Sequence, residues 1–298
     1  METQEPYILG RTFSANARCG SYFNPVSQHL PGDLTCLDRL NLQYFLWKEG
    51  GFSLHPSIPA NTKNLRVAEI GVGTGIWLVD LAHCLPDCAK IEGFDINLTQ
   101  CPPAEWLPSN VSVHQVDCLG PLPEHLIGQY DIVHIQLFHL AVHNNDPAPI
   151  IENLIKLLKP GGWISWGEID YSRWEVVRTM EGRDVVDNLT PLLRHIGTLG
   201  GKRPNWAADD WPSRLHLLFA ENGLENVARD NRLFPPELLA FQLDTALMAS
   251  EEVSYKVLDP MDNGSGDQCR ALISEVFRNR QKLAYNVGRL TVVGQKPQ

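Results

Sequence analysis

The 298-residue chain has no run of about 18 apolar residues, so no membrane-spanning helix is expected. It also lacks an excess of positive charge: 35 acidic residues against 25 basic ones leave a net charge of −10. Such a chain has little with which to neutralise phosphate, and neither nucleic acid nor an anionic membrane is an expected partner. The opening METQEPYILGRTF has no apolar centre and does not read as a secretory signal. Seven cysteines are scattered and odd in number. Cys84 and Cys88 stand four apart, but no second pair completes a zinc pattern, and no metal is expected. The thiols are expected to be reduced and mostly buried, in a cytoplasmic protein. Internal repeats and low-complexity tracts are missing as well. What is present, 43% hydrophobic and 20% charged residues, suffices for a sizeable globular core.

The apolar pattern then supplies the order of elements. LDRLNLQYFLWKE, residues 37–49, places Leu37, Leu40, Tyr44 and Trp47 at helical spacing. From residue 65 strands and helices alternate. LRVAEI, KIEGFDI, VSVHQV, YDIVHI and WISWGEID read as strands; GIWLVDLAHCL and APIIENLIKLL read as helices, the second stopped by KPGG. This alternation predicts an α/β fold with a parallel sheet covered by helices on both faces. Residues 171–204 are mixed, with helical spacing near VVDNLTPLLRHIG. WPSRLHLLFAENG reads as a helix and LENVARDNRLF as a strand. Residues 236–284 look helical around an interruption at DPMDNGSGD, and VGRLTVVGQKP reads as a terminal strand. The expected organisation is one domain in three stretches: residues 1–60 as lead-in and covering helix, 61–170 as ligand-binding core, and 171–298 as helical cover plus the last two strands.

The stretch VAEIGVGTGIWLVDLA runs from an apolar strand through three glycines into a helix. A phosphate-binding P-loop needs Lys followed by Ser or Thr, and Ile76-Trp77 stand there instead. A dinucleotide fingerprint places its third glycine three residues after the second, whereas Gly73 and Gly75 are two apart; that reading is weakened. What remains is an acid followed by alternate glycines: Glu69, Gly71, Gly73, Gly75. Asp95 ends the second strand 20 residues beyond Gly75, where an acid accepts the hydroxyls of a ribose. Because a nicotinamide dinucleotide would use the same acid, Asp95 supports ligand binding without separating the cofactors.

The acid and alternate glycines resemble the first motif of class I S-adenosylmethionine-dependent methyltransferases. HQVDC after the third strand, YDIVHI running into QLFHL, and LLKPGGWISWGE match that family's later motifs in order, so the resemblance covers residues 65–170. LNLQYFLWK, LHPSIP, PPAEWLPSNV and NDPAPIIENLIKLLKPGGWISWGEID are similar to the LaeA-like or UMTA-like methyltransferases of fungal secondary metabolism. The resemblance implies a Rossmann-like sheet of seven strands, mostly parallel with the last antiparallel. It also implies S-adenosyl-L-methionine as cofactor. Glu69 would then help hold the ammonium. Gly71, Gly73, Thr74 and Gly75 would form the close backbone turn, and Asp95 with Ile96 would meet the ribose. Asp117 and Cys118 would meet the adenine, and Gln43, Tyr44 and Gln136 would lie beside the cofactor. Relatives frequently carry Arg where Gln136 stands.

Methyl transfer to oxygen or nitrogen often needs a base that works near pH 7. QLFHLAVHNND places His139 and His143 at the carboxyl edge of the sheet, and Glu168 and Asp170 end a strand at the same edge. His139, His143 and Glu168 are the catalytic candidates, with packing or capping as the plain alternative for each. His134, inside a strand, reads as a core residue. Tyr171, Trp174 and Trp206 are candidates for an apolar acceptor wall or for ordinary packing. The Asp209-Asp210 pair reads as a helix cap. The leading expectation is a methyltransferase acting on an O, N or S atom of a small molecule. The alternatives are a cofactor-binding protein that catalyses a non-methylating cyclisation, a regulatory partner, and a nicotinamide-dependent oxidoreductase. Oligomeric state is left open, with a homodimer as one expectation.

Overall fold

The computed structural model describes residues 34–49, 51–142, 145–198 and 211–298. Helix α1 (Leu34–Lys48) leads into β1 (Arg66–Ile70), α2 (Ile76–Cys84), β2 (Lys90–Asp95), β3 (Val111–Gln115) and β4 (Tyr130–Gln136). Then come α3 (Ala148–Leu157), β5 (Leu158–Arg178), α4 (Leu189–Gly197), α5 (Trp211–Glu221), β6 (Glu225–Arg232), α6 (Leu239–Val253), α7 (Ser265–Arg278) and β7 (Leu283–Gln295). The seven strands form one sheet in the order β3-β2-β1-β4-β5-β7-β6. All pairs from β3 to β5 are parallel, and β7 runs antiparallel to both neighbours. This is the expected Rossmann-like α/β sheet with its last strand reversed.

Two apolar layers sandwich the sheet. On one face Ile151, Leu154 and Leu157 of α3 and Trp211, Leu215 and Phe219 of α5 pack over Val133, Ile135, Ile164 and Trp166. On the other, Trp77, Leu78 and Leu81 of α2 cover Val67, Ile91 and Ile132, joined by Tyr44 of α1. Successive strand side chains point to opposite faces, so strands buried on both sides read as continuous apolar runs. A third layer joins Leu192 of α4, Leu243 and Leu247 of α6, and Cys269 and Val276 of α7 to Leu283 and Tyr285 at the start of β7. It forms a cover beyond the carboxyl edge of the parallel strands.

The structure departs from the sequence reading in the second half. Residues Tyr171–Arg178, the start of the stretch read as mixed, are a continuation of β5. After an irregularity between Asp170 and Trp174, Trp174–Arg178 pair with Val287–Leu283 of β7. The β-prone run WEVV finds a partner there, while the helical spacing near VVDNLTPLLRHIG is met by α4. KPGG follows the end of α3 as expected and lies within β5, whereas α7 stops at Arg278, short of Ala284. Cys36 is disulfide-bonded, contrary to the all-reduced expectation. Cys84, Cys88, Cys101, Cys118 and Cys269 are free thiols. Among the described residues no helix is long and apolar enough to cross a membrane.

Candidate active site

The chain reverses direction across the sheet between β1 and β4, because β2 and β3 extend to one side of β1 and β4 and β5 to the other. A crevice opens at the carboxyl ends of strands at such a switch point. Here it holds a cavity of about 240 Å³. Its floor is the end of β1 and the glycine turn; its walls come from α1, the loop after β4, the end of β5, α4 and α6.

Gly71, Gly73 and Gly75 have φ of 73°, 52° and 74°, the left-handed region that side chains disfavour. Gly71 has a second constraint, since a Cβ there would lie 2.7 Å from the Phe138 ring. The turn is pinned by Asp95, whose Oδ2 accepts the Gly73 N–H at 3.0 Å and whose Oδ1 accepts the Asn97 N–H at 3.1 Å. Each oxygen keeps a further lone pair. Thr74 Oγ1 donates to Asn41 Oδ1 at 2.7 Å and so ties the turn to α1.

Glu69 faces the cavity with only 6% of its surface exposed, and its Oε2 atom has no hydrogen-bond partner. Burial raises its carboxyl well above the ordinary range, and the neighbouring Asp95 adds to the rise. Asp95 is itself raised by burial, against its backbone bonds. Two crowded, desolvated acids would repel a pyrophosphate and attract a cation. The unpartnered Glu69 oxygen fits an ammonium. The residues present therefore suit S-adenosylmethionine, which bears both an ammonium and a sulfonium.

The remaining candidates fall into three groups. Gln43, Tyr44, Gly71, Gly73, Thr74, Gln136, His139, Glu168 and Tyr171 line the same cavity as Glu69. Gly75, Asp95, Ile96, Asp117, Cys118 and Trp174 do not line it. Ile96 is exposed, and the exposed Asp117 accepts the Leu119 N–H at 2.9 Å. Cys118 is buried, which pushes its thiol up to about 12. Trp174 sits on the β5 extension, 36% exposed. His143, Trp206, Asp209 and Asp210 lie outside the described residues. His134 is buried and stacked on Trp77 with ring centroids 4.0 Å apart. Burial lowers its pKa to about 4 and keeps it neutral. Asp170 is a structural cap: it takes the Ser172 N–H, Asn231 at 2.6 Å and Arg229 at 2.9 Å.

His139 opens a short helical turn after β4 and lies parallel to Trp211 and edge-on to Tyr171. The turn before it is strained, with Leu137 at φ 54°. Glu168 holds that turn: its Oε2 accepts the Phe138 N–H at 2.8 Å and its Oε1 accepts the Ile169 N–H at 3.1 Å. Burial pushes its carboxyl up to about 8 despite these donors.

Several lining residues escaped the sequence reading. Arg39 donates to Gln43 at 3.1 Å and reaches Glu252 at 2.8 and 3.2 Å, tying α1 to α6. Its place four residues before Gln43, on one helix face, was the available signal. On α6 the cavity is lined by Gln242, Thr245, Ala246, Ala249, Ser250 and Val253. These follow a helical period and form a small, partly polar stripe on one face of α6.

The strand order, left-handed glycine turn and paired acids define the class I methyltransferase fold with its cofactor crevice. A methyltransferase-domain family model matches residues 67–162. The methyltransferase grgD of a Penicillium species is 38% identical over 128 residues, 41% of this chain and 44% of that protein. The N-methyltransferase tcpN of Claviceps purpurea (strain 20.1) is 36% identical over 203 residues, covering 65% of this chain and 72% of that protein. The secondary metabolism regulator laeA of Coprinopsis cinerea is 27% identical over 214 residues, 61% of this chain and 51% of that protein. The chain belongs to the S-adenosylmethionine-dependent methyltransferases, and is similar to the laeA regulator of fungal secondary metabolism.

Proposed function

We propose that this protein transfers a methyl group from S-adenosylmethionine to an oxygen, nitrogen or sulfur atom of a small secondary metabolite. One observation carries the reading: the buried, unpartnered Glu69 oxygen faces a cavity shared by the glycine turn and an apolar cover. The cofactor supplies an electrophilic methyl group, and the protein's part is position and exclusion of water. Glu69 would hold the ammonium, with Gln43 and Gln136 beside it. Asp95 and Ile96 would meet the ribose, and Asp117 and Cys118 the adenine, outside the cavity. His139 would take the acceptor's proton. Glu168, with both oxygens engaged by backbone N–H groups, would position His139 rather than touch substrate. Tyr171 would form part of the acceptor wall.

The test is mass spectrometry of protein incubated with S-adenosylmethionine and extracted fungal metabolites. S-adenosylhomocysteine should appear together with a product heavier by one methylene. An isomer of unchanged mass would point instead to cyclisation. The likeness to the laeA regulator favours a second reading, a regulatory role, which predicts no turnover with any metabolite and a stable protein partner in a pull-down.

A further inference from the structure

The α6 stripe and the start of β7 bear on the acceptor, given the methyltransferase reading above. Gln242 is 6% exposed and lines the cavity. Its Nε2 donates to the Tyr285 hydroxyl at 2.9 Å, while its Oε1 accepts from no group among the described residues. Tyr285 is buried and also lines the cavity, and its hydroxyl proton has no acceptor among the described residues. Burial pushes that hydroxyl up to about 12, so it stays protonated at neutral pH. The pair therefore keeps Gln242 Oε1 as an acceptor, with the Tyr285 O–H and the second Nε2 N–H as donors. Turning the amide over exchanges the roles and still leaves both donors and acceptors open. Both groups line the cavity, so a ligand that displaces water there must meet them or lose those hydrogen bonds.

Charge narrows what that ligand is. The titratable side chains other than Tyr that line the cavity are Arg39, Glu69, Glu168 and His139, the last assigned to the acceptor's proton in the proposed function. Arg39 is engaged by Glu252 and Gln43, Glu168 by backbone N–H groups, and Glu69 faces the cofactor's ammonium in the proposed function. None is left for a charged acceptor. Leu193 and Ile196 of α4 and Ala246 and Ala249 of α6 supply apolar and small walls. A carboxylate would bring only acceptors to the Gln242–Tyr285 pair, and an ammonium only donors. We infer that Gln242 and Tyr285 select the acceptor, and that they take an uncharged, largely apolar molecule presenting a hydrogen-bond donor and acceptor side by side, as on a lactam edge.

Three probes of similar shape test this by calorimetry on protein loaded with S-adenosylhomocysteine. 2-Quinolone carries the paired edge, 2-methoxyquinoline lacks the donor, and quinoline-2-carboxylate carries charge. 2-Quinolone should bind about tenfold more tightly than either of the others, the worth of roughly one buried hydrogen bond. Gln242→Leu should reduce that ratio to about twofold or less while leaving S-adenosylhomocysteine affinity unchanged, which also shows that the variant is folded. Tyr285→Phe, a smaller change, should reduce the ratio in the same direction. Equal affinity for the three probes, no binding of 2-quinolone, or a ratio that survives both substitutions would overturn the assignment. Failure of S-adenosylhomocysteine to bind the unaltered protein would instead overturn the cofactor reading on which it rests.

Discussion

Glu69 shows how one side chain separates cofactors that a glycine motif leaves undecided. Its carboxyl is raised by burial and by Asp95, so it keeps its proton to higher pH than an ordinary carboxylic acid until a cation arrives. Binding an ammonium favours the ionised form, so cofactor binding should release protons. Calorimetry in buffers of different ionisation enthalpy should show that release, and Glu69→Gln should remove it with at least about a tenfold loss of affinity. At Gly71 the penalty for a side chain is steric twice over, from φ 73° and from the Phe138 ring. Gly71→Ala should destabilise the protein by about 1–3 kcal/mol in denaturant titration. Glu168 has the opposite sign from an ordinary salt-bridged acid. Its folded pKa of about 8 lies above an unfolded value near ~4.3. The protonated form is favoured by folding, so the stability it contributes is full below about pH 4.3 and is lost as pH rises toward about 8. Glu168→Gln should flatten that part of the curve of melting temperature against pH.

At the scale of elements, α1 decides whether the cavity has one of its walls. Its apolar contacts through Tyr44 and Leu46 are joined by polar ties. Asp80 of α2 accepts Tyr44 and Lys48 at 2.5 Å each and Ser53 at 2.6 Å. Burial raises this carboxyl, but the bonds from Lys48, Ser53 and Tyr44 outweigh it and bring it below its ordinary range. The same C-terminal end is also held by Arg289 of β7, 6% exposed and stacked over Phe234. Its Nη1 donates to the carbonyls of Leu46, Trp47 and Glu49 at 3.0, 3.2 and 2.6 Å, satisfying the last turn of the helix. Arg289→Met would strand those carbonyls. A loss of about 2–4 kcal/mol and faster hydrogen exchange across Leu34–Lys48 are expected, with weaker cofactor binding as the consequence. Arg289 was not legible in the sequence, because nothing in VGRLTVVGQ reveals a contact with a helix some 240 residues earlier.

For the whole molecule, the cofactor half was far more legible than the cover. Residues 65–170 are built from local rules: a buried parallel strand reads as an apolar run, and a left-handed turn needs glycine. Glu69, Gly71, Gly73 and Asp95 could thus be named and placed beforehand. The β5 extension through Trp174–Arg178 could not, since its partner is Leu283–Val287 on the last strand. Gln242, Thr245 and Tyr285 stayed hidden for the same reason: the polar stripe on α6 gains meaning only when β7 and the crevice face it. The central claim, a cation-binding crevice built for S-adenosylmethionine, is most directly tested by titrating the purified protein with that cofactor. Binding with proton release, both lost in a folded Glu69→Gln variant, is the expected result. No binding by the folded protein, or binding indifferent to Glu69→Gln, would contradict it.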